Sequence, residues 1–188
     1  FPFRYGLEMK NIDFETFVPS VIADKLERNE LDIGLVPVAT YLNHPEWRII
    51  GNYGIIAEKK VRTVLLASNV PVFEIKSVKF DKDSRSSNQL CKVLMDKFWK
   101  CNPIWNPQSE ADACIQIGDK AFHAHLEYPF IYDLAEEWNK FTGFPFVFAV
   151  WVSNKQIDSE FTLMFNDALE FGINHIENYN NKTYIAHE

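Results

Sequence analysis

Apolar residues along this chain recur at two spacings, and the spacing switches from one short segment to the next. Over residues 19–30, Ile22 and Leu26 lie four apart with Lys, Glu and Arg filling the remaining face, which predicts an amphipathic helix ending near Asn29. Residues 31–38 follow as a short apolar strand that Pro37 closes, because proline has no N–H to give to a ladder. Residues 60–68 and 75–80 predict two further strands, the second half-buried by its alternation. A polar stretch, residues 81–87, then leads into a helix with Leu90, Val93, Leu94 and Phe98 at helical spacing. Residues 112–117 predict a buried strand closed by Gly118 and Asp119. Residues 132–141 predict a helix with Leu134, Trp138 and Phe141 on one face, 144–152 a fully buried strand, and 158–179 a last long helix. The opening residues 1–6 read as a loop and, with no initiator Met, as part of a longer chain.

Strands and helices that alternate over short loops predict an α/β fold of mostly parallel sheets, in which ligands sit beyond the carboxyl ends of the strands. There is no internal repeat and no low-complexity linker, so two lobes would be joined by strands crossing between them, one near residues 64–68 and the return past Val150. The division this predicts is a first lobe over 1–66, a second over 67–152 and a helical return segment over 153–188.

Composition narrows the function classes. The 188 residues are 47% hydrophobic, enough for a sizeable core, so disorder is not the expectation. Nineteen basic residues against twenty-six acidic ones, with the basic ones scattered, lack the footprint of a nucleic-acid binder. No apolar run approaches the roughly 20 residues that cross a bilayer, so no membrane partner is expected. Cys91, Cys101 and Cys114 are an odd set without C-x-x-C spacing, which fits a reducing compartment and neither a disulfide framework nor a zinc knuckle. His123 and His125 have no acidic or cysteine cluster to complete a ligand set, so no metal is expected. The serine-hydrolase elbow, the P-loop and the dinucleotide glycine motif are all missing.

Three segments carry candidate chemistry. Ser84, Arg85, Ser86, Ser87 and Asn88 stand at a helix start, where unpaired N–H groups and hydroxyls converge on an anion such as a carboxylate. The same residues also suit a plain cap with Arg85 in solvent, and the residue pattern leaves both readings open. Asp119, after an apolar strand, faces either a ligand crevice or the first turn of the helix that begins near Lys120. Thr142 to Phe146, with Gly143 and Pro145, makes a helix-ending turn that needs no function.

Taken together in order, five blocks resemble the chorismate dehydratase family of the futalosine route to menaquinone, an outgrowth of the type II periplasmic-binding-protein fold. They are residues 31–42 (LDIGLVPVATYL), 61–68 (VRTVLLAS), 84–90 (SRSSNQL), 111–122 (ADACIQIGDKAF) and 132–152 (YDLAEEWNKFTGFPFVFAVWV), the last being the most specific. The departures are Lys59 and Lys60 where the family often has a glycine, Thr63 for Ser and Ser86 for Thr. The resemblance implies a two-lobed fold with a ligand cleft between the lobes and a carbon–oxygen lyase that removes water from chorismate. It implies chorismate contacts from Ser84, Arg85, Ser86, Ser87, Asn88, Thr63, Pro37 and Val38, with Asp119 a weaker catalytic candidate. The family's loop asparagine would lie ahead of Phe1 and is not carried over, so the catalytic group is left unassigned. No cofactor is implied, the setting is cytoplasmic, and the partners are the small-molecule substrate and at most a second copy in a homodimer. The alternatives are a non-catalytic binder of small carboxylates and the related dihydroxynaphthoate synthase, whose usual opening motif this chain lacks.

Overall fold

The computed structural model describes residues 2–17, 19–82 and 84–175, with the backbone alone at Pro19 and Ser20. The chain forms two compact units, one of residues 1–36, 41–54 and 149–188 and the other of residues 37–40 and 55–148. Chain therefore passes between them at 36/37, 40/41, 54/55 and 148/149, against 66/67 and 152/153 in the division drawn from the sequence.

In the first unit the elements are α1 (Pro2–Met9), α2 (Pro19–Glu27), β1 (Ile33–Pro37), β2 (Arg48–Ala57), β8 (Phe146–Ser153) and α7 (Ser159–Asn174), with a sheet in the order β1-β8-β2. The opening segment is a helix and not the expected loop, since Pro2 occupies the first helical position, where its missing N–H costs nothing. That helix packs on α7 so closely that a Cβ at Gly6 would meet the Ala168 carbonyl and one at Gly172 the Pro2 carbonyl. Side chains alternate between two cores. Leu7, Ile33, Trp151, Phe165 and Leu169 fill one, and Ala23, Leu26, Val36, Trp47 and Val152 fill the other. Strand β2 escapes a sequence reading because Gly51, Asn52 and Gly54 interrupt its pattern. Gly51 has φ +75°, and Asn166 Oδ1 accepts from the Asn52 N–H at 2.8 Å to hold the kink. Strand β8 is not fully buried as expected; Val152 and Ser153 are, while Phe146 to Trp151 are half-buried because the strand leaves one unit's core for the other's. The last helix is described to Asn174, and residues 176–179 of its expected range lie outside the described residues.

In the second unit a short helix, α3 (Val38–Tyr41), opens beside Pro37. It is followed by β3 (Val64–Ser68), a 3-10 turn (Val72–Glu74), β4 (Ser77–Lys79), α4 (Arg85–Val93) and its π-helical extension (Leu94–Phe98). Then come β5 (Ile104–Trp105), β6 (Ala113–Ile117), α5 (Asp119–Glu127), β7 (Phe130–Asp133) and α6 (Leu134–Thr142). The sheet order is β5-β4-β6-β3-β7. Pairing of β4 with β5 and β6 is parallel, and β3 is antiparallel to β6 and β7. The sheet is thus mixed, with β3 alone running against the rest. The eight residues 69–76 between β3 and β4 are too few for a parallel crossover, which needs a dozen or more, so the direction must reverse there. Nor does β3 cross between units as expected, for all of it lies in the second.

Both faces of β3 are covered. Val64 and Leu66 face a core with Val78, Leu90, Leu94, Met95, Ile115 and Leu134, and Leu65 and Ala67 face Ala121 and Ala124 of α5. This explains why the strand reads as an unbroken apolar run. Within the first of these cores, burial pushes the Cys91 thiol up to about 12, so it packs as a neutral side chain. Because Leu66 is wholly buried at the centre of the sheet, Leu66→Ala should cost about 3 kcal/mol of unfolding free energy. Urea denaturation reads this directly, and a loss under about 1 kcal/mol would show that β3 is not the centre of a packed core.

Candidate functional site

Strands β4, β6 and β7 run the same way, and each leads directly into a helix, so α4, α5 and α6 all begin at one edge of the five-stranded sheet. Strand β3 runs the other way and starts at that edge. The positive ends of three helix dipoles thereby collect on one side of the second unit.

The α4 start is capped by Ser84, whose Oγ accepts from the Ser87 N–H at 3.4 Å. The Ser84 and Ser87 hydroxyls lie 2.6 Å apart, one donating to the other, which leaves one proton of the pair to be given elsewhere. Ser86 is committed differently. Its Oγ accepts from the Ala39 N–H and donates to the Phe148 carbonyl, both at 3.3 Å, fastening the segment that holds Pro37 and Val38 to the α4 start. Asn88 braces the preceding loop through Asp81, accepting from its N–H at 3.2 Å and donating to its carbonyl at 2.7 Å. Arg85 is exposed at the first helical position, as a plain cap would also have it.

Thr63 lies one residue before β3, where its carbonyl accepts from the Gly118 N–H at 3.0 Å. It thus sits beside the β6 to α5 turn. Gly118 is the residue that caps α5, with φ +58° and open space where a Cβ would stand, and Asp119 is the exposed first residue of that helix. Lys120 reaches from α5 to the buried Asp81 carboxylate at 3.3 Å, linking the α5 start to the α4 loop. Hydrogen bonds therefore join Ser86 to Ala39, the residue after Val38, and separately Thr63 to Gly118, the residue before Asp119.

Sequence reasoning missed Asp133. It closes β7, is buried, caps α6 through the Ala135 and Glu136 N–H groups, and also accepts from the Val61 and Arg62 N–H groups. An acidic cap signal was present, with Asp133 three residues ahead of Glu136. Away from this edge, Cys114, Gln116 and Tyr128 form a small polar cluster. The hydrogen bond with Cys114, then burial, holds the Tyr128 phenol up to about 12, so it stays protonated. Among the described residues no group of three or more His, Cys, Asp or Glu side chains comes together, and no helix is long and apolar enough to cross a membrane.

A separate hollow lies in the first unit. A groove of about 900 Å³ runs along the unpaired side of β1 in the first unit, lined by Phe3, Leu7, Phe14, Ile33, Trp151 and Phe165 among others. The Trp151 indole N–H in its wall is buried without a hydrogen-bond partner. Its charged lining holds Arg4, paired with Glu8 at 2.9 Å, and four carboxylates, of which Glu30 meets Lys25 at 3.1 Å and Asp32 meets Lys155 at 2.6 Å, beside Asp13 and Glu15. With its cations matched by carboxylates and Asp13 and Glu15 in addition, the rim stays net acidic and disfavours a dicarboxylate.

Solved structures with the same fold extend across most of the chain. Protein AF1704 from Archaeoglobus fulgidus superposes with a TM-score of 0.65 at 15% identity, covering 96% of this chain and 74% of that one. YhfZ from Shigella flexneri gives 0.60 at 13% identity, over 95% and 84% of the two chains. An ABC transporter protein from Parabacteroides distasonis gives 0.57 at 15%, over 89% of this chain and 64% of that one. At these identities the likeness fixes the fold, which is α/β of the type II periplasmic-binding-protein kind. Activity has to come from elsewhere, and the family model described as menaquinone biosynthesis matches residues 1–186, so this chain belongs to the menaquinone biosynthesis family.

Proposed function

We propose that this protein is a chorismate dehydratase, acting on the route to menaquinone by removing water from chorismate to give 3-[(1-carboxyvinyl)oxy]benzoate. The observation that carries the reading is the single sheet edge at which α4, α5 and α6 all begin and at which Thr63 and the 84–88 segment lie. Chorismate is a dianion, and the starts of α4 and α5, with exposed Arg62 and Arg85 in the segments beside them, are assigned as N–H and guanidinium donors to its two carboxylates.

In the reaction a ring C–H proton leaves, its electron pair becomes the last double bond of the aromatic ring, and the neighbouring hydroxyl departs with its bonding electrons and is protonated to water. Nothing is oxidised or reduced. Aromatisation drives the step, so the protein's task is to hold the ring with the departing groups aligned and to assist hydroxide loss by proton donation. The spare proton of the Ser84–Ser87 pair is assigned to one substrate carboxylate, with Arg85 as its cation, and Thr63 and the Pro37–Val38 segment are assigned to the remainder of the substrate. The substrate's own enolpyruvyl carboxylate lies close to the proton to be lost and serves as the base.

Incubation of the full-length protein with chorismate alone, followed by chromatography and mass measurement, should show loss of one water to an aromatic enolpyruvyl ether. Chorismate returned unchanged, yet raising the melting temperature, would make the protein a carboxylate-binding protein instead. A hydrogen bond to a charged group contributes about 1.5–3 kcal/mol, so Ser87→Ala should raise KM for chorismate on the order of 10- to 100-fold. Steady-state kinetics with unchanged KM and kcat would remove the Ser84–Ser87 pair from the site.

A further inference from the structure

Asp133 makes more hydrogen bonds than a helix cap requires. The residue is 8% exposed, and its Oδ1 accepts from the Ala135 and Glu136 N–H groups at 3.1 Å each, which is the α6 cap. Its Oδ2 accepts from the Arg62 N–H at 2.7 Å and the Val61 N–H at 3.0 Å, with Oδ1 a further 3.3 Å from the latter. Four backbone N–H groups from two segments some 70 residues apart in sequence thus converge on one carboxylate. Arg62 has φ +63°, a conformation unfavourable for a residue with a Cβ, so the turn it forms has to be held by its surroundings. The next residue is Thr63, whose carbonyl in turn fixes the Gly118 N–H at the head of α5.

We propose that Asp133 is a positioning residue for the substrate site: through Oδ2 it clamps the 61–62 turn, and so sets Thr63 and the Gly118 turn at the sheet edge, separately from capping α6. The proposal rests on the chorismate reading of that edge. Its parts can be pulled apart because Oδ2 alone meets Arg62 and Oδ1 alone meets the α6 start, with Val61 nearer to Oδ2. Asp133→Asn keeps a capping oxygen, since Asn and Asp cap helices about equally, but turns an NH2 toward the Val61 and Arg62 N–H groups. Asp133→Ser also caps, and is too short to reach the turn while adding no opposing donor, so it serves if the Asn variant folds poorly.

Amide hydrogen exchange and chorismate kinetics are measured on wild type and both variants as full-length protein. Exchange protection at Val61 and Arg62 should fall by at least about tenfold while Ala135 and Glu136 stay protected. KM for chorismate should rise about tenfold or more, with a smaller change in kcat, as expected when a contact is displaced rather than deleted. Lost protection with unchanged KM would overturn the positioning role, and so would undiminished protection at Val61 and Arg62. Should wild type itself leave chorismate untouched, the functional reading fails. The clamp is then judged on exchange alone, where equal protection in all three proteins overturns it.

Discussion

Strand β3 has apolar side chains on both faces and hydrogen-bonded strands on both edges, and the second unit is arranged to satisfy all four requirements at once. Leu66 needs α4 and α6 on one side, and Leu65 and Ala67 need α5 on the other. Both flanking strands, β6 and β7, run against it. Since those strands share a direction with β4, the helices that cover β3 must start where β3 starts. The gathering of helix N-termini at one edge is therefore a consequence of burying a single strand, with no separate cause required.

That edge differs in charge from the groove beside β1. The chain carries a net charge of −7, and the large groove beside β1 is rimmed by carboxylates. At the α4, α5 and α6 starts, by contrast, the acids nearest to hand are already matched: Asp81 by Lys120 and Asp133 by four backbone N–H groups. Asp119 is the exception, exposed at the first position of α5. The proposed anion site would draw on the helix dipoles of this edge and on exposed Arg62 and Arg85, since the N–H groups of the α6 start are already held by Asp133.

Much of this was legible in the residues. The apolar run of β3, the Ser-rich start of α4 and the Gly-ended α6 each follow from local rules, and ordered blocks resembling one family pointed to menaquinone biosynthesis, which the family match established. Local rules do not see what distant segments do to each other. The helix at Pro2–Met9 is settled by its packing on α7, and β2 by an Asn166 side chain more than a hundred residues away. Ser86 looked like a ligand donor from its neighbours in sequence, whereas its hydroxyl is spent joining Ala39 to Phe148. Asp133 drew no notice inside the helix expected over 132–141, because the turn it holds lies far back in the chain.

Two places in the molecule compete for an anion, this sheet edge and the groove beside β1, and the edge is the one proposed to take it. Titrating the isotope-labelled protein with 3-[(1-carboxyvinyl)oxy]benzoate and following backbone amide resonances tests it most directly. The account predicts that shifts concentrate at residues 62–63, 84–88 and 118–120 and leave 30–35 unmoved. Shifts centred on residues 30–35 and the α1 start, with the 84–88 amides unchanged, would contradict it.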